Sequence, residues 1–409
     1  MERADLAALL GRHLSQSPPQ DRVVCEDSVE GFQRAFSEAV AEGGTVFLAD
    51  PRWTAAERAQ FDALCRKRQD HAAAESGRGW LCIPTGGSTG QIKLARHDTH
   101  TLHAAITGFC RHFECGRVNV CGVLPLHHVS GLMAWLRTIV TGGSYQAGDW
   151  HEIQRGQRPT LDAQEPFLSL VPTQLQRLLG SASAEDWLRQ FAAIFIGGGP
   201  VWPELLDAAQ EAKLPISLSY GMTETAAMVT ALRPSEFTRG HRSSGRALPH
   251  ARVSLDADES VVIESESLFL GYYPGPAEKI RQWNPRDRGA LDDEGYLTIL
   301  GRTDDLIITG GEKVDPGVVE QVLRSTDAFS DVAVLGVHDP DWGQVVVACY
   351  PAQQPVPDWA HVQAVVKGQL AAFKRPKRYL PIDPWPRNEQ GKLNRSRLLE
   401  QVSASGGMC

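Results

Sequence analysis

The strongest constraint on this chain is an alternation. From about residue 80 to 300, short apolar runs (WLCIP, VCGVLPL, FLSLVP, FAAIFIGGG and PISLSYG) are separated by helical segments such as PELLDAAQEAKL. Strands interleaved with helices argue for α/β layering around a largely parallel sheet. At 409 residues the chain is also longer than one hydrophobic core usually grows. Past Gly301-Arg302 the texture shifts to shorter units: a strand DLIIT, a helix opening at Asp315-Pro316, and a strand pair around DVAVLGV and QVVVACY. HVQAVVKGQLAAF follows, with Val362, Val365, Val366 and Leu370 on one helical face. Asp315 suits an N-cap, and Pro316 the first helical position, where a missing N–H costs nothing. The expected architecture is a large N-terminal α/β domain, residues 1-303, with layered sheets and helices, and a small C-terminal α+β domain, residues 304-409. Residues 1 to about 80, rich in Ala, Arg and Glu, read as peripheral helices and strands of the first domain.

Composition narrows the partners. Forty-one basic against 49 acidic side chains leave a net charge of -8, which argues against a nucleic-acid partner. The eight cysteines form no C-x-x-C pair and have no histidines at zinc-ligand spacing, so reduced thiols in a cytoplasmic setting are the plain reading. The start MERADLAALLGRHL lacks the pattern of a signal peptide, and no run of 18 apolar residues predicts a membrane span. Nothing in the sequence sets an oligomeric state.

One segment asks for a ligand. Between two extended stretches, WLCIP and IKLARH, lies PTGGSTGQIK, residues 84-93, with three glycines, three hydroxyls and a lysine. Glycines allow close backbone approach, so several N–H groups can converge on an anion. Thr85, Ser88 and Thr89 add hydroxyl donors and Lys93 a point charge, which makes polyphosphate the natural guest. The P-loop pattern G-x-x-x-x-G-K-[ST] fails, because Lys93 stands between Ile92 and Leu94, and the glycines 86, 87 and 90 have the wrong spacing for a dinucleotide fingerprint. Taken alone, the segment could equally be a flexible surface hairpin.

Further motifs follow in order: PLHHVSG (125-131), GGGP (197-200), SYGMTET (219-225), DRG (287-289), GRTDD (301-305), GGEKV (310-314) and GKLNR (391-395). Together with the loop they resemble the acyl-adenylate-forming superfamily, which comprises acyl- and aryl-CoA ligases, luciferases and peptide-synthetase adenylation domains. The resemblance implies ATP, Mg²⁺ and coenzyme A as co-reactants of a small carboxylic acid. It makes Thr85, Gly86, Gly87, Ser88, Thr89, Gly90 and Lys93 the phosphate loop. Gly198, Gly199 and Pro200, with Ser219, Tyr220 and Gly221, become the adenine side.

Each assignment has a plain alternative. Thr223 would touch the α-phosphate and Glu224 would hold Mg²⁺, a hard cation that prefers oxygen, although an acidic residue also favours a helix N-terminus. Asp287 is implied on the ribose hydroxyls with Arg302 beside it; a simple salt bridge is the other reading. Before this aspartate the family's TGD is replaced by Asn284-Pro285-Arg286, so the local turn is expected to differ. Lys392, otherwise a solvated lysine, would enter from a mobile small domain to neutralise charge in adenylation. Gly310 and Gly311 would border the pantetheine arm after rotation about Asp304. His128 would gate the thiol tunnel unless it is structural.

The chain is short for the superfamily, with its phosphate loop beginning near residue 85. That compactness, with PLHHVSGLMAWLR and GGEKVDPGVVE, most resembles o-succinylbenzoate-CoA ligases of menaquinone and phylloquinone biosynthesis. Another aryl- or acyl-CoA ligase, or an enzyme loading a carrier protein, remains open. For an aromatic dicarboxylate, His127, His128 and Arg137 are candidates for the second carboxylate, Arg137 being equally able to cap a helix or face solvent. Leu132, Trp135 and Gly221 are candidates for the ring.

Overall fold

The computed structural model describes residues 1–66, 78–86, 92–199, 201–387 and 393–405. A first sheet orders the strands Gln20–Val24, Gly43–Leu48, Leu81–Gly86, Ile92–His97 and Tyr272–Tyr273. The first three run parallel and the last two antiparallel to their neighbours. A second sheet has seven strands, in the order Arg246–Ala247, Ala227–Ala231, Ile216–Met222, Ala193–Ile196, Phe167–Leu170, Val120–Gly122 and Tyr145–Ala147. Its five members from Ile216–Met222 to Tyr145–Ala147 are parallel, as the alternation predicts. The run WLCIP, however, lies in the first, mixed sheet.

Helices Thr99–His112 and Val129–Thr141 join the two sheets through one core that includes Val46, Ile83, Leu102, Ile106, Leu132, Leu136 and Ala227. The N-terminal segment is part of this core rather than peripheral. Helix Val29–Ala41 is capped by Ser28, which accepts the Gly31 N–H, and buries Phe32 and Phe36. Phe36 meets Trp135 edge-on at 5.5 Å and Trp80 at 6.4 Å. Full burial of such a ring stabilises by roughly 2–3 kcal/mol.

Two ribbons, Ala251–Leu255 with Val261–Ser265 and Asp287–Leu291 with Leu297–Arg302, lead into a last sheet. There Ala333–Asp339 and Gly343–Pro351 pair antiparallel, and Arg378–Ile382 adds in parallel. Side chains alternate faces along a strand. Accordingly Val334, Val346 and Ala348 meet helices Pro316–Arg324 and Trp359–Gln369, while Ala333, Leu335, Val345 and Val347 meet helix Arg395–Ser405. Asp315 caps Pro316–Arg324 by accepting the Gly317 N–H at 2.8 Å, with Pro316 in the first turn. Among the described residues no helix is long and apolar enough to cross a membrane, and the seven described cysteines are free thiols.

Candidate active site

The glycine-hydroxyl loop is bounded by a regular hairpin. Leu81–Gly86 and Ile92–His97 pair antiparallel, with Thr85 opposite Lys93 and Gly86 opposite Ile92. Gly87, Ser88, Thr89 and Gly90 lie outside the described residues. The Lys93 Nζ stands over the Tyr272 ring, 5.3 Å from its centroid. Tyr272 is placed there because the short strand Tyr272–Tyr273 pairs with the hairpin, Tyr272 opposite Ala95.

From this position the Tyr272 hydroxyl donates to Glu224 Oε1 at 2.6 Å. Burial, and then the Glu224 charge, push the Tyr272 phenol pKa well above its usual value, so the phenol keeps its proton and remains a donor. Glu224 itself is 8% exposed. It follows strand Ile216–Met222, in the one-turn helix Thr223–Thr225, at the carboxyl edge where parallel sheets present ligand sites. The chain then reverses through Ala226 and Ala227, both at positive φ, into the antiparallel strand Ala227–Ala231. Gly221 is required by that reversal: a Cβ there would lie 2.1 Å from the Ala227 carbonyl oxygen. His97 anchors the turn, its Nε2 2.8 Å from the Thr223 carbonyl oxygen. Burial pushes this imidazole down to about 4, so it is neutral and donates Nε2–H to that carbonyl.

A second group forms on the same strand. Tyr220 donates its hydroxyl to Asp287 Oδ2 at 2.6 Å, and Arg302 Nη1 stands 3.4 Å from Asp287 Oδ1. Asp287 and Arg302 face each other across their ribbon, so the pair is built by register. The altered sequence before Asp287 still makes a turn. Arg286 adopts φ +63, its N–H donates to Asn284 Oδ1 at 2.8 Å, and its carbonyl accepts the Thr303 N–H at 2.7 Å. Beside this strand, Ala193–Ile196 ends in the turn Gly197-Gly198-Gly199; a Cβ on Gly197 would come 3.1 Å from Ser219 Oγ, while one on Gly199 would meet nothing within 4 Å. Pro200 lies outside the described residues.

The acyl side departs from expectation. Leu132 and Trp135 sit within the joining core, Trp135 against Phe32 and Phe36, so they serve packing and not an aromatic ligand. An all-apolar helix segment gives no sequence signal to separate the two uses. Arg137 neither caps the helix with its side chain nor faces solvent. It is buried, with its guanidinium 4.2 Å above the Phe109 ring, and burial pulls its pKa down to about 10. His127 and His128 turn instead to Asp50, their Nε2 atoms 3.2 and 3.9 Å from Asp50 Oδ2. Burial raises the Asp50 pKa, but the close approach of His127 and the Arg52 amide and guanidinium outweigh it and hold the carboxyl well below its usual range. Burial, and then His127, lower His128 to about 3.

In the last sheet Gly310 and Gly311, at φ +57 and +83, form the two-residue turn between Ile307–Thr309 and Glu312–Val314. Positive φ at both positions is what a tight hairpin of this length needs, so turn geometry alone accounts for both glycines. Lys392 lies outside the described residues. Its neighbour Arg395 is described: it pairs with Glu320, donates to the Val334 carbonyl at 2.9 Å and stands 3.9 Å from Asp305.

Sequence reasoning missed Tyr272, His97 and Asp50, each joined to the site by a contact across 48 residues or more. No local motif marks them.

Comparison with known proteins shows the family. The family model of AMP-binding enzymes matches residues 13–273 and that of the AMP-binding enzyme C-terminal domain matches residues 318–392; the chain belongs to the AMP-binding enzyme family. A 2-succinylbenzoate–CoA ligase of Listeria monocytogenes (serotype 4b, strain F2365) is 30% identical over 326 residues, 78% of this chain and 69% of the relative. One of Oceanobacillus iheyensis is 30% identical over 288 residues, 67% of this chain and 60% of the relative. The chain thus spans between about three fifths and seven tenths of these relatives. The o-succinylbenzoate CoA synthetase (MenE) of Bacillus subtilis, solved with the acyl-adenylate intermediate OSB-AMP, shares the fold with a TM-score of 0.78 at 22% identity, over 97% of this chain and 91% of that one.

Proposed function

We propose that the protein is an ATP-dependent, AMP-forming ligase that joins o-succinylbenzoate to coenzyme A. The observation that supports this reading is the convergence, at one sheet edge, of the Lys93–Tyr272–Glu224 chain beside the phosphate loop and the Tyr220–Asp287–Arg302 group. The choice of acid rests on the relatives named for that reaction.

A carboxylate is a poor acylating agent because its leaving group would be oxide. Attack of its oxygen on the α-phosphorus of ATP forms the acyl–phosphate bond and expels pyrophosphate, which leaves AMP as a competent leaving group. A thiolate of coenzyme A then attacks the carbonyl, releasing AMP and forming the thioester. Loop residues 85-93 would hold the phosphates, Thr223 the α-phosphate, and Gly198, Gly199, Pro200, Ser219 and Gly221 the base. Asp287 would accept the ribose hydroxyls, oriented by Tyr220 and Arg302.

Glu224 fits Mg²⁺: a buried carboxylate with one oxygen fixed by Tyr272 offers the hard oxygen ligand that ion takes, and the bound ion would neutralise phosphate charge. Lys392 would enter from residues 304-409, turning about Asp304, to stabilise charge on the reacting carboxylate and α-phosphate. Gly310 and Gly311 would face the thiol after that turn, with His128 at the gate between acid and thiol.

The test is an acid panel with ATP, Mg²⁺ and coenzyme A, read by AMP release and thioester mass. The reading expects o-succinylbenzoate to give both. Products from benzoates or fatty acids with none from o-succinylbenzoate would refute the substrate, and acyl transfer to a carrier protein but not to free coenzyme A would refute the acceptor.

A further inference from the structure

Two cysteines meet at the end of a helix. Helix Thr99–His112 closes on Phe113, after which Glu114 takes φ +54 and the Cys115 N–H donates to the Cys110 carbonyl at 3.0 Å. A left-handed cap closed by this bond sets the third residue from the helix end beside the second residue past the cap, a pair that usually makes an apolar contact. Here both positions carry thiols, and the proposed ligase chemistry uses neither of them.

The side chains follow the backbone. Cys110 and Cys115 are both partly exposed free thiols, both pack against the cluster of Phe109, Val118, Phe167 and Phe195, and both line one open recess of about 470 Å³. The Cys115 thiol hydrogen-bonds to the Cys110 sulfur; that bond outweighs the cost of burial and, with the Arg137 charge acting the same way, pulls the Cys110 pKa down to about 7. The same bond, and then burial, push Cys115 up, so it keeps its proton. Burial pushes Cys65, Cys82, Cys121 and Cys349 up as well, and none of them has a second thiol held against it by a turn. A thiolate that solvent can reach, beside a thiol able to resolve it, is the arrangement that reacts selectively with oxidants.

We propose that Cys110 and Cys115 are a modification site at which hydrogen peroxide forms a reversible disulfide. The Cys110 thiolate attacks one peroxide oxygen and the O–O bond breaks, giving a sulfenic acid and hydroxide, which takes a proton from solvent to become water. The Cys115 sulfur then attacks the sulfenic sulfur; the S–O bond breaks, the Cys115 proton leaves with the hydroxyl as a second water, and the S–S bond remains. The two thiols supply two electrons, the peroxide accepts them, and an added thiol reductant reverses the change. The site does not depend on which acid the enzyme activates.

The experiment treats the full chain with hydrogen peroxide, caps the remaining thiols with iodoacetamide, digests with trypsin without reductant and reads peptide masses. Cleavage after Arg96, Arg111 and Arg117 leaves Cys110 and Cys115 on separate peptides, 97–111 and 112–117, so only the disulfide holds these two together. Wild type should yield the joined pair, lighter than its parts by two hydrogens, and lose it on treatment with dithiothreitol. The bond should form at least about tenfold faster in the folded chain than in concentrated urea, where the turn and the lowered Cys110 pKa are gone. Cys115→Ser should instead build up a sulfenic acid on Cys110 that dimedone traps, while Cys25→Ser should join the two peptides as wild type does. Oxidation of other cysteines with no joined pair in wild type, equal rates in the folded and urea-unfolded chains, or no dimedone adduct on Cys110 in Cys115→Ser would overturn the proposal.

Discussion

Replacing Tyr272 by Phe removes one oxygen and tests whether Glu224 is a positioned ligand or only a buried acid. The phenol donates to Glu224 Oε1 at 2.6 Å, and the ring is held edge-on to Phe269 at 4.9 Å and to Trp283 at 6.3 Å. Phenylalanine preserves that packing and the face presented to Lys93, so the change is confined to the hydrogen bond. A charge-assisted bond of this kind contributes about 1.5–3 kcal/mol, and losing it leaves a buried carboxylate oxygen without its donor. If Glu224 must be oriented to hold the ion of the ATP complex, that energy appears as roughly 10- to 100-fold in the adenylation rate. Acid-dependent ATP–pyrophosphate exchange measures it directly, titrated with Mg²⁺ at fixed ATP. Tyr272→Phe should need more Mg²⁺ for half-maximal exchange, while the KM for the acid stays unchanged. Exchange with wild-type rate and wild-type Mg²⁺ dependence would show that the Tyr272–Glu224 bond is structural only.

Two further expectations follow from strain and from burial. Arg286 holds φ +63 in the turn before Asp287, so Arg286→Gly should be more stable than Arg286→Ala by about 1 kcal/mol in urea melts, both having lost the same side chain; equal stabilities would remove the strain argument. His97 is buried and neutral with its pKa depressed to about 4. As pH falls below the unfolded value near 6.5, the unfolded chain takes up a proton that the folded chain refuses, so stability declines until about pH 4 and this group adds no further loss below it. The window is worth roughly 3 kcal/mol, and His250, also depressed by burial, acts in the same direction. Urea midpoints unchanged between pH 7 and pH 5 would contradict this.

The sequence carried the architecture wherever the signal was local. Apolar runs bounded by glycine became strands, Asp315-Pro316 opened its helix, and Glu224 follows strand Ile216–Met222 at its carboxyl end, while Asp287 and Arg302 pair across a ribbon of their own. What it did not carry was the partner of each group. Residues 1 to about 80 read as peripheral, and nothing near Phe32 and Phe36 in the chain pointed to Trp135. Trp135 in turn gave no sign that it packs in the core and does not line a pocket. His127 and His128 stood out as a pair, yet their carboxylate, Asp50, comes from a turn more than seventy residues earlier. Such contacts arise from the crossing of two sheets, which no window of sequence contains.

The most direct test of the whole account divides the reaction at Lys392. With Lys392→Ala, acid-dependent pyrophosphate exchange should fall by at least roughly 10²-fold, the usual effect of removing an electrostatic donor from a transition state. The same variant, given ready-made acyl-adenylate and coenzyme A, should form thioester at close to the wild-type rate. Equal loss in both half-reactions, or full exchange activity without the lysine, would contradict it.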